Sequence, residues 1–499
     1  MTARVAALSR AVCLGVLLLS GCAHAQPAAP AVNVRAQRAL TGDLDRIFGA
    51  PPTANALWGV QIKSLDSGRT LYSRNASTLM MPASNMKIVT LAAAAETLGW
   101  DYRFKTTLET TGTIEGGVLR GPLIVRGTGD PTINSRNGRA AALFDEWTAA
   151  LRAAGITRIE GAIEGDASAF DDRRLGQGWA WDYLEAGYAA PVGALEYNEN
   201  IATVTIQPGA KPGETAALQL APSTGLGLLY HVVTGEPGSR TAITLERRTY
   251  DNYLDVSGSI AVDSPPVTRD VAVVSPTKYF VHSLLLGLVE RGIPVAGLPV
   301  DLRERRPDLE PLPRRVIHES LSPPLRDIAT TMMKVSQNLY AETLLKAIGA
   351  SRDGSGSTAS GRRASSDVFA AWGIRESDYV QADGSGLSRY GYVTPAMIVT
   401  LLDRMHADPR HRAAFAATLP IAGKDGTIST RLRATRAEAN AIAKTGSIAN
   451  VRALSGYVRT RDGETLAFSI LANNFTVPAA TITWMTDLAV ETLANYSNR

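Results

Sequence analysis

The chain predicts an α+β fold, an antiparallel sheet flanked by helices with a large β-rich insertion, and three observations predict it. A helical stretch, "MPASNMKIVTLAAAAETLG", stands near the start, and helical patterns return after about residue 318. Near the end, "ANAIAKTGS", "VRALSGYVRT" and "TLAFSILANN" read as a strand meander, with "RDGE" as the tight turn between the last two and an amphipathic helix closing the chain. Between the two helical parts lies a long piece made mostly of strand-like runs. The length of 499 residues requires two or more domains, because single cores stop growing at about 250–300 residues. With 45% hydrophobic and 20% charged residues, the composition is globular and excludes disordered and fibrous classes. The 51 basic and 47 acidic residues leave a net charge of only +4, with no basic block of the kind that binds nucleic acid.

Taken in order, the elements begin with a targeting segment. Arg4 and Arg10 form a positive region ahead of the apolar "AVCLGVLLLSG", which is too short to cross a membrane. Two exits are written there. "LSGC", Leu19 to Cys22, resembles the bacterial lipobox and would make Cys22 a lipidated N-terminus. "AHA" before Gln26 fits an ordinary cleavage site. The segment is thus a signal peptide over 1–25, or a lipoprotein signal over 1–21, and the lipobox is the preferred reading. Ala23 after the cysteine implies, by the same resemblance, anchoring to the outer membrane, which several acyl chains would make stable. Cys13 is the only other cysteine and leaves with the signal, so the mature chain has no disulfide and no cysteine metal site. A Pro/Ala linker follows over 26–36.

"LWGVQIKSLDSGRTLYSRNAS" alternates and turns at Asp66–Gly68, a hairpin signal. The helix at Ser84 follows and ends near Gly99. "YRFKTTLET", "GVLRGPLIVRG", "TAITLERRT" and "NYLDVSGSIAV" read as strands, interrupted by the Gly/Trp/Tyr-rich "LGQGWAWDYLEAGYAAP". A helix with a Ser275 cap, Pro276 in its first turn and Gly292 at its end comes next, then a linker-like "RRPDLEPLPRR". "LRDIATTMMKVSQNLYAETLLKAIG" is helical with a break near "VSQN". "SRDGSGSTASGRRASS" reads as a low-complexity loop.

Chemistry enters at Ser84 and Lys87. A serine hydroxyl is a poor nucleophile unless something takes its proton. Residues three apart share a helix face, so Lys87 can reach the Ser84 oxygen. Burial in so apolar a helix would lower the lysine pKa and make the amine a base. Free N–H groups at the helix start can stabilise an oxyanion. Alone, a Ser-x-x-Lys pair is equally well a cap with a snorkelling lysine. Two further elements change the weighing: Ser336-Gln337-Asn338 at the break between two helices, and Lys444-Thr445-Gly446, followed by Ser447, on a strand of the meander. In this order they match the S-x-x-K, S-D-N-like and K-T-G set of penicillin-recognising serine enzymes.

"MPASNMKIVT", "RGTGDPTI", "SQNLYAETLLK", "ADGSGLSRYGYVTP" and "IAKTGSIANVRALSGYV" together resemble the D-Ala-D-Ala carboxypeptidase/endopeptidase family of low-molecular-mass class C penicillin-binding proteins. The interval of about 250 positions from Ser84 to Ser336 matches that family's long insert. The resemblance implies a β-lactamase/transpeptidase-like catalytic domain over 37–103 and 319–499. It implies a β-rich inserted region over 104–318, as two domains, one nested in the other. By the same resemblance, Ser84 is the nucleophile that would form an acyl-enzyme between two D-alanines, and Lys87 is its base. Ser336 would relay a proton to the leaving amine. Asn338 would hydrogen-bond the substrate backbone and hold Lys87. Lys444 would place positive charge near the substrate carboxylate, and Thr445 would bond that carboxylate. Gly446 would let the substrate strand lie close. The N–H groups of Ser84 and Ser447 would form the oxyanion hole.

The implied partners are peptidoglycan peptides ending in, or cross-linked through, D-Ala, with β-lactams as inhibitors. The implied location is the periplasm. No cofactor or metal is implied: no H-E-x-x-H appears, and the six histidines are scattered. No G-x-S-x-G elbow appears either. Trp181, Asp182 and Tyr188 are candidates to line a pocket for the peptide stem, against the plainer reading of loop anchors. "DGSGLSR", Asp383 to Arg389, receives no chemical role. Carboxypeptidase and endopeptidase action both stay open. A β-lactamase is the nearest alternative, but this chain has no E-x-x-L-N stretch between Asn338 and Lys444 to supply the deacylating Glu of class A enzymes, so slow deacylation is expected. A non-catalytic wall binder on the same fold would be expected to have lost Ser84 or Lys87.

Overall fold

The computed structural model describes residues 33–220, 224–248, 252–304 and 313–499. The signal segment, Cys22 and residues 26–32 of the linker lie outside the described residues. The linker ends earlier than its composition suggests. Asn33 accepts a hydrogen bond from the Ala36 N–H at 3.1 Å and caps helix α1 (Val34–Phe48), so residues 34–36 are helical.

Both ends of the chain build one sheet. Its antiparallel strands run in the order Ile442–Ile448, Val451–Arg459, Thr465–Asn473, Leu57–Ser64 and Thr70–Arg74. The hairpin at Asp66–Gly68 thus adds to the C-terminal meander, in a register running from Leu57 opposite Asn473 to Ser64 opposite Leu466. Side chains alternate across this sheet. Ala453, Tyr457, Ala467 and Leu471 face one core; Leu454, Val458, Leu466, Phe468 and Ile470 face the other.

The helices follow in chain order: α2 (Met86–Leu98), α3 (Arg139–Ala153), α4 (Pro276–Glu290), α5 (Leu325–Lys334), α6 (Asn338–Asp353), α7 (Thr358–Ala371), α8 (Pro395–Ala407), α9 (Arg412–Thr418) and α10 (Ala479–Asn495). α1 and α10 cover the second face through Leu44, Phe48, Val490 and Leu493. α2, α5, α6, α8 and α9 cover the first. α2 is the central helix of that layer: every residue from Met86 to Ala95 is buried, so it is enclosed all round rather than striped, with Lys87 and Thr90 as its buried polar side chains.

The inserted region leaves and returns through a neck in which the Phe104 N–H donates to Ser322 Oγ at 2.8 Å and the Ser322 N–H donates to the Phe104 carbonyl at 2.9 Å. The strand Arg315–Leu321 pairs with Lys105–Thr110, so a boundary at 318 falls inside a strand and the return comes about three residues later. Residues 305–312 of the linker-like stretch lie outside the described residues. One five-stranded sheet of the insertion packs with α3 and α4 around Trp147, Phe280 and Leu284. Within it, residues 201–272 form two three-stranded sheets around a separate small core of Val204, Val232, Leu254 and Val256.

The low-complexity stretch expected as a loop is instead mostly helix α7, capped by Ser357, whose side chain accepts from the Ser360 N–H at 3.0 Å. Its small residues serve close packing. A Cβ on Gly361 would come within 2.0 Å of the Leu345 carbonyl, and one on Gly349 within 2.7 Å of the Gly361 nitrogen, so α6 and α7 meet backbone to backbone. Gly361→Val is therefore expected to cost roughly 3 kcal/mol by forcing the helices apart. Urea denaturation measures it, and an unchanged midpoint would show that α7 is not docked this way.

Candidate active site

The turn before α2 is where the sequence becomes chemistry. Ala83–Asn85 forms a single 3₁₀ turn with Ala83 at φ +44°, a left-handed conformation costly for a residue with a Cβ. It is held from two sides. Gly386, at φ +80°, packs so closely that a Cβ there would lie 1.8 Å from the Ala83 carbonyl. Asn85 Nδ2 donates to the Lys444 carbonyl at 3.2 Å, tying the turn to the edge strand. Gly446 allows that approach, since a Cβ would meet the Pro82 carbonyl at 2.5 Å and the Ser84 nitrogen at 3.1 Å.

Lys87 lies one turn on and is wholly buried. Its Nζ donates to Ser84 Oγ at 3.0 Å, Asn338 Oδ1 at 2.6 Å and the Ser385 carbonyl at 3.0 Å. Burial lowers its pKa from 10.5 to about 7, against the opposing pull of Asp383 and Glu342. An amine poised near neutrality, in hydrogen-bond reach of a hydroxyl, has the geometry and the basicity of a general base. The other two sequence motifs arrive beside it. Ser336, at φ +64°, sits in the break between α5 and α6 and accepts from Lys444 Nζ at 2.8 Å. Asn338 opens α6. Lys444 is also buried, and burial together with the charge of Lys87 holds its pKa well below the usual lysine range. Thr445 donates to Thr427 Oγ1 at 2.8 Å.

These groups line one cavity of about 620 Å³, shared by Ser84, Ser336, Asn338, Thr445, Gly446 and Ser447. Lys87 and Lys444 lie behind its wall and reach it through Ser84 and Ser336. The strand Ile442–Ile448 is the last of its sheet, so an extended peptide can lie along it. Of the three insertion residues considered for stem contacts, Tyr188 lines the cavity, joined by Tyr183. Trp181 and Asp182 are exposed and do not line it. Arg452 and Arg431 also line it, Arg431 being paired with Asp487 at 2.6 Å.

Sequence reasoning left two carboxylates unassigned. Glu342, four residues after Asn338 on the same helix, accepts from the Gly384 N–H at 3.0 Å and the Ser385 N–H at 2.8 Å. Asp383 accepts from the N–H groups of Gly386 at 2.8 Å and Ser388 at 2.7 Å, and from Trp179 Nε1 of the insertion at 2.9 Å. Together they shape "DGSGLSR" so that the Ser385 carbonyl meets Lys87. The spacing of four from Asn338 was the one available signal for Glu342.

A family model described as D-Ala-D-Ala carboxypeptidase 3 (S13) matches residues 40–494. A D-alanyl-D-alanine carboxypeptidase of Actinomadura sp. is 33% identical, over 88% of this chain and 82% of its own length. The D-alanyl-D-alanine carboxypeptidase DacB of Haemophilus influenzae is 30% identical, over 84% and 85%. The crystal structure of penicillin binding protein 4 from Haemophilus influenzae superposes with a TM-score of 0.79 at 28% identity, covering 91% of this chain and 99% of that one. A second structure of that protein, complexed with a β-lactam, superposes at 0.74 with 27% identity. The α+β fold with its long insertion is thus a shared one.

Proposed function

The chain belongs to the D-Ala-D-Ala carboxypeptidase 3 (S13) family of serine peptidases, and from that membership we propose how its own residues carry the reaction. The substrate class is the peptidoglycan stem peptide, and β-lactams are the proposed inhibitors of the same site, a reading supported by the β-lactam complex of the Haemophilus relative. The observation that supports the assignment best is the position of Lys87 Nζ between Ser84 Oγ and Asn338 Oδ1, behind the wall of a cavity that ends in an edge strand.

Ser84 Oγ attacks the carbonyl between two D-alanines as its proton passes to Lys87 Nζ. The N–H groups of Ser84 and Ser447 receive the oxyanion. On collapse the C–N bond breaks, and the proton reaches the leaving amine through Ser336, which Lys444 holds. D-Alanine departs and Ser84 carries the acyl group. Water attacks that ester as Lys87 takes its proton; the C–O bond to Ser84 breaks, the shortened stem peptide leaves with a carboxylate, and Lys87 returns the proton to Ser84 Oγ. Thr445 bonds the terminal carboxylate, and Lys444 supplies positive charge from behind the wall, bonded to Ser336 Oγ and the Thr445 carbonyl. A cross-linked peptide enters by the same chemistry if its larger leaving group fits between Tyr183, Tyr188 and the edge strand. The periplasm is the proposed site of action, with a lipid anchor at Cys22 supported by "LSGC".

The test is release of free D-alanine from a stem peptide ending in D-Ala-D-Ala, beside cleavage of a D,D-cross-linked dimer and hydrolysis of a chromogenic β-lactam. Release of D-alanine with slow β-lactam turnover is expected. Rapid β-lactam hydrolysis without D-alanine release would overturn the reading. The mass of the mature N-terminus separates a lipidated Cys22 from Gln26.

A further inference from the structure

We propose that Glu199, in the inserted region and outside the cavity, is a positioning residue for the acyl transfer, acting through Gln337 on Ser336 and Asn338. This rests on the reading of Ser84 as the nucleophile. The first observation is backbone strain. Asn198, Glu199 and Asn200 stand at φ +50°, +57° and +55°, three consecutive left-handed residues, none of them glycine. The asparagines tolerate that conformation, but a glutamate persists in it only where its surroundings over-determine it. Here they do. Asn198 Oδ1 accepts from the Ser135 N–H at 2.7 Å and its hydroxyl at 2.8 Å. Asn200 accepts from the Tyr197 N–H at 3.2 Å and donates to the Pro191 carbonyl at 2.8 Å.

The second observation is what the strained turn presents. Glu199 Oε2 accepts from Gln337 Nε2 at 2.6 Å, while Gln337 Oε1 caps α6 by accepting from the Leu339 N–H at 3.1 Å. The Gln337 amide is thus fixed at both ends, one by the insertion and one by the catalytic domain. Its two neighbours in the chain are the cavity residues that meet Lys444 and Lys87. Ser336 is itself left-handed, so it keeps its aim only while the adjoining peptide is held. The insertion also reaches Asn338 directly: the Tyr188 carbonyl accepts from Asn338 Nδ2 at 2.8 Å, which leaves Oδ1 turned to Lys87. Neither Glu199 nor Gln337 lines the cavity, so their effect passes through the two residues that do.

The experiment is the second-order rate of benzylpenicillin acylation, followed by intact mass on the whole protein. Glu199→Ala is expected to slow it by roughly tenfold, the scale of a small misplacement of reacting groups, with kcat on a stem peptide falling and KM unchanged. Gln337→Glu keeps the α6 cap but sets two carboxylates against each other, and should slow acylation similarly. Combining it with Glu199→Gln restores a donor facing an acceptor and should return the rate to within about threefold of the starting protein. That rescue is what a merely structural residue would not give. Wild-type rates in Glu199→Ala, or losses that multiply in the swapped pair, would overturn the proposal. If Glu199→Ala does not fold, Gln337→Glu with and without Glu199→Gln decides alone. Failure of the unaltered protein to acylate would instead remove the Ser84 reading, and this inference with it.

Discussion

Ser84→Ala is expected to abolish D-alanine release and benzylpenicillin adduct formation, with a loss of roughly 10⁴-fold or more. The alanine has no oxygen to attack with, and among the described residues Ser84 carries the one hydroxyl bonded to Lys87 Nζ: Ser336 lies on Lys444 instead. The fold should survive. Ser84 is only half-buried, and Lys87 keeps two further acceptors, Asn338 Oδ1 and the Ser385 carbonyl. A thermal melt beside the assay separates the two effects. A variant that melts normally, carries no adduct and releases no D-alanine assigns the nucleophile. Retained release would move it to another residue and dismantle the roles given to Lys87 and Asn338.

The residues proposed to be catalytic stand out in the sequence because their signal is local. Ser84 and Lys87 are three apart on one helix, and Lys444 to Ser447 are contiguous on one strand. What lay between them was legible only as pattern. Alternating residues announced the meander, and the Ser275 cap with Pro276 announced α4. The misses share a cause: they depend on what another part of the chain supplies. α7 looks like a loop until Leu345 and Gly349 give its glycine and serines a surface to press against. Glu342 and Asp383 look like ordinary acids until a loop folds N–H groups onto them. The strand Arg315–Leu321 was split by a boundary because its partner, Lys105–Thr110, lies some two hundred positions earlier. Glu199 carries no sequence signal at all, since both the left-handed turn and Gln337 are tertiary facts.

The pH dependence of acylation tests which lysine takes the Ser84 proton. Only the neutral amine is a base, and burial has brought Lys87 down to about 7. The acylation rate should therefore fall about tenfold per pH unit below 7 and level off above it. Glu342, whose carboxylate works to raise the Lys87 pKa, is itself pushed up to about 7 by burial and by Asp383 beside it. The pull of Glu342 on Lys87 gives a sign to check. The Glu342 carboxylate favours the charged lysine, so Glu342→Gln should move the limb to lower pH. Lys87→Met should lose about 10²–10⁴ in rate, the usual worth of a general base, and lose the limb with it. The same shift enters stability. The unfolded chain holds the Lys87 proton up to 10.5 while the folded one releases it near 7, so between those values this residue makes the fold more stable as pH rises. Lys444 is the rival. Its pKa too is held well below the usual lysine range, by burial and by the charge of Lys87. Its Nζ, however, is committed to Ser336 Oγ and the Thr445 carbonyl, and Ser84 is bonded to Lys87. If Lys87→Met keeps both the rate and the limb, the proton goes to Lys444 through Ser336, and the short path from Ser84 to Lys87 is not the one the reaction takes.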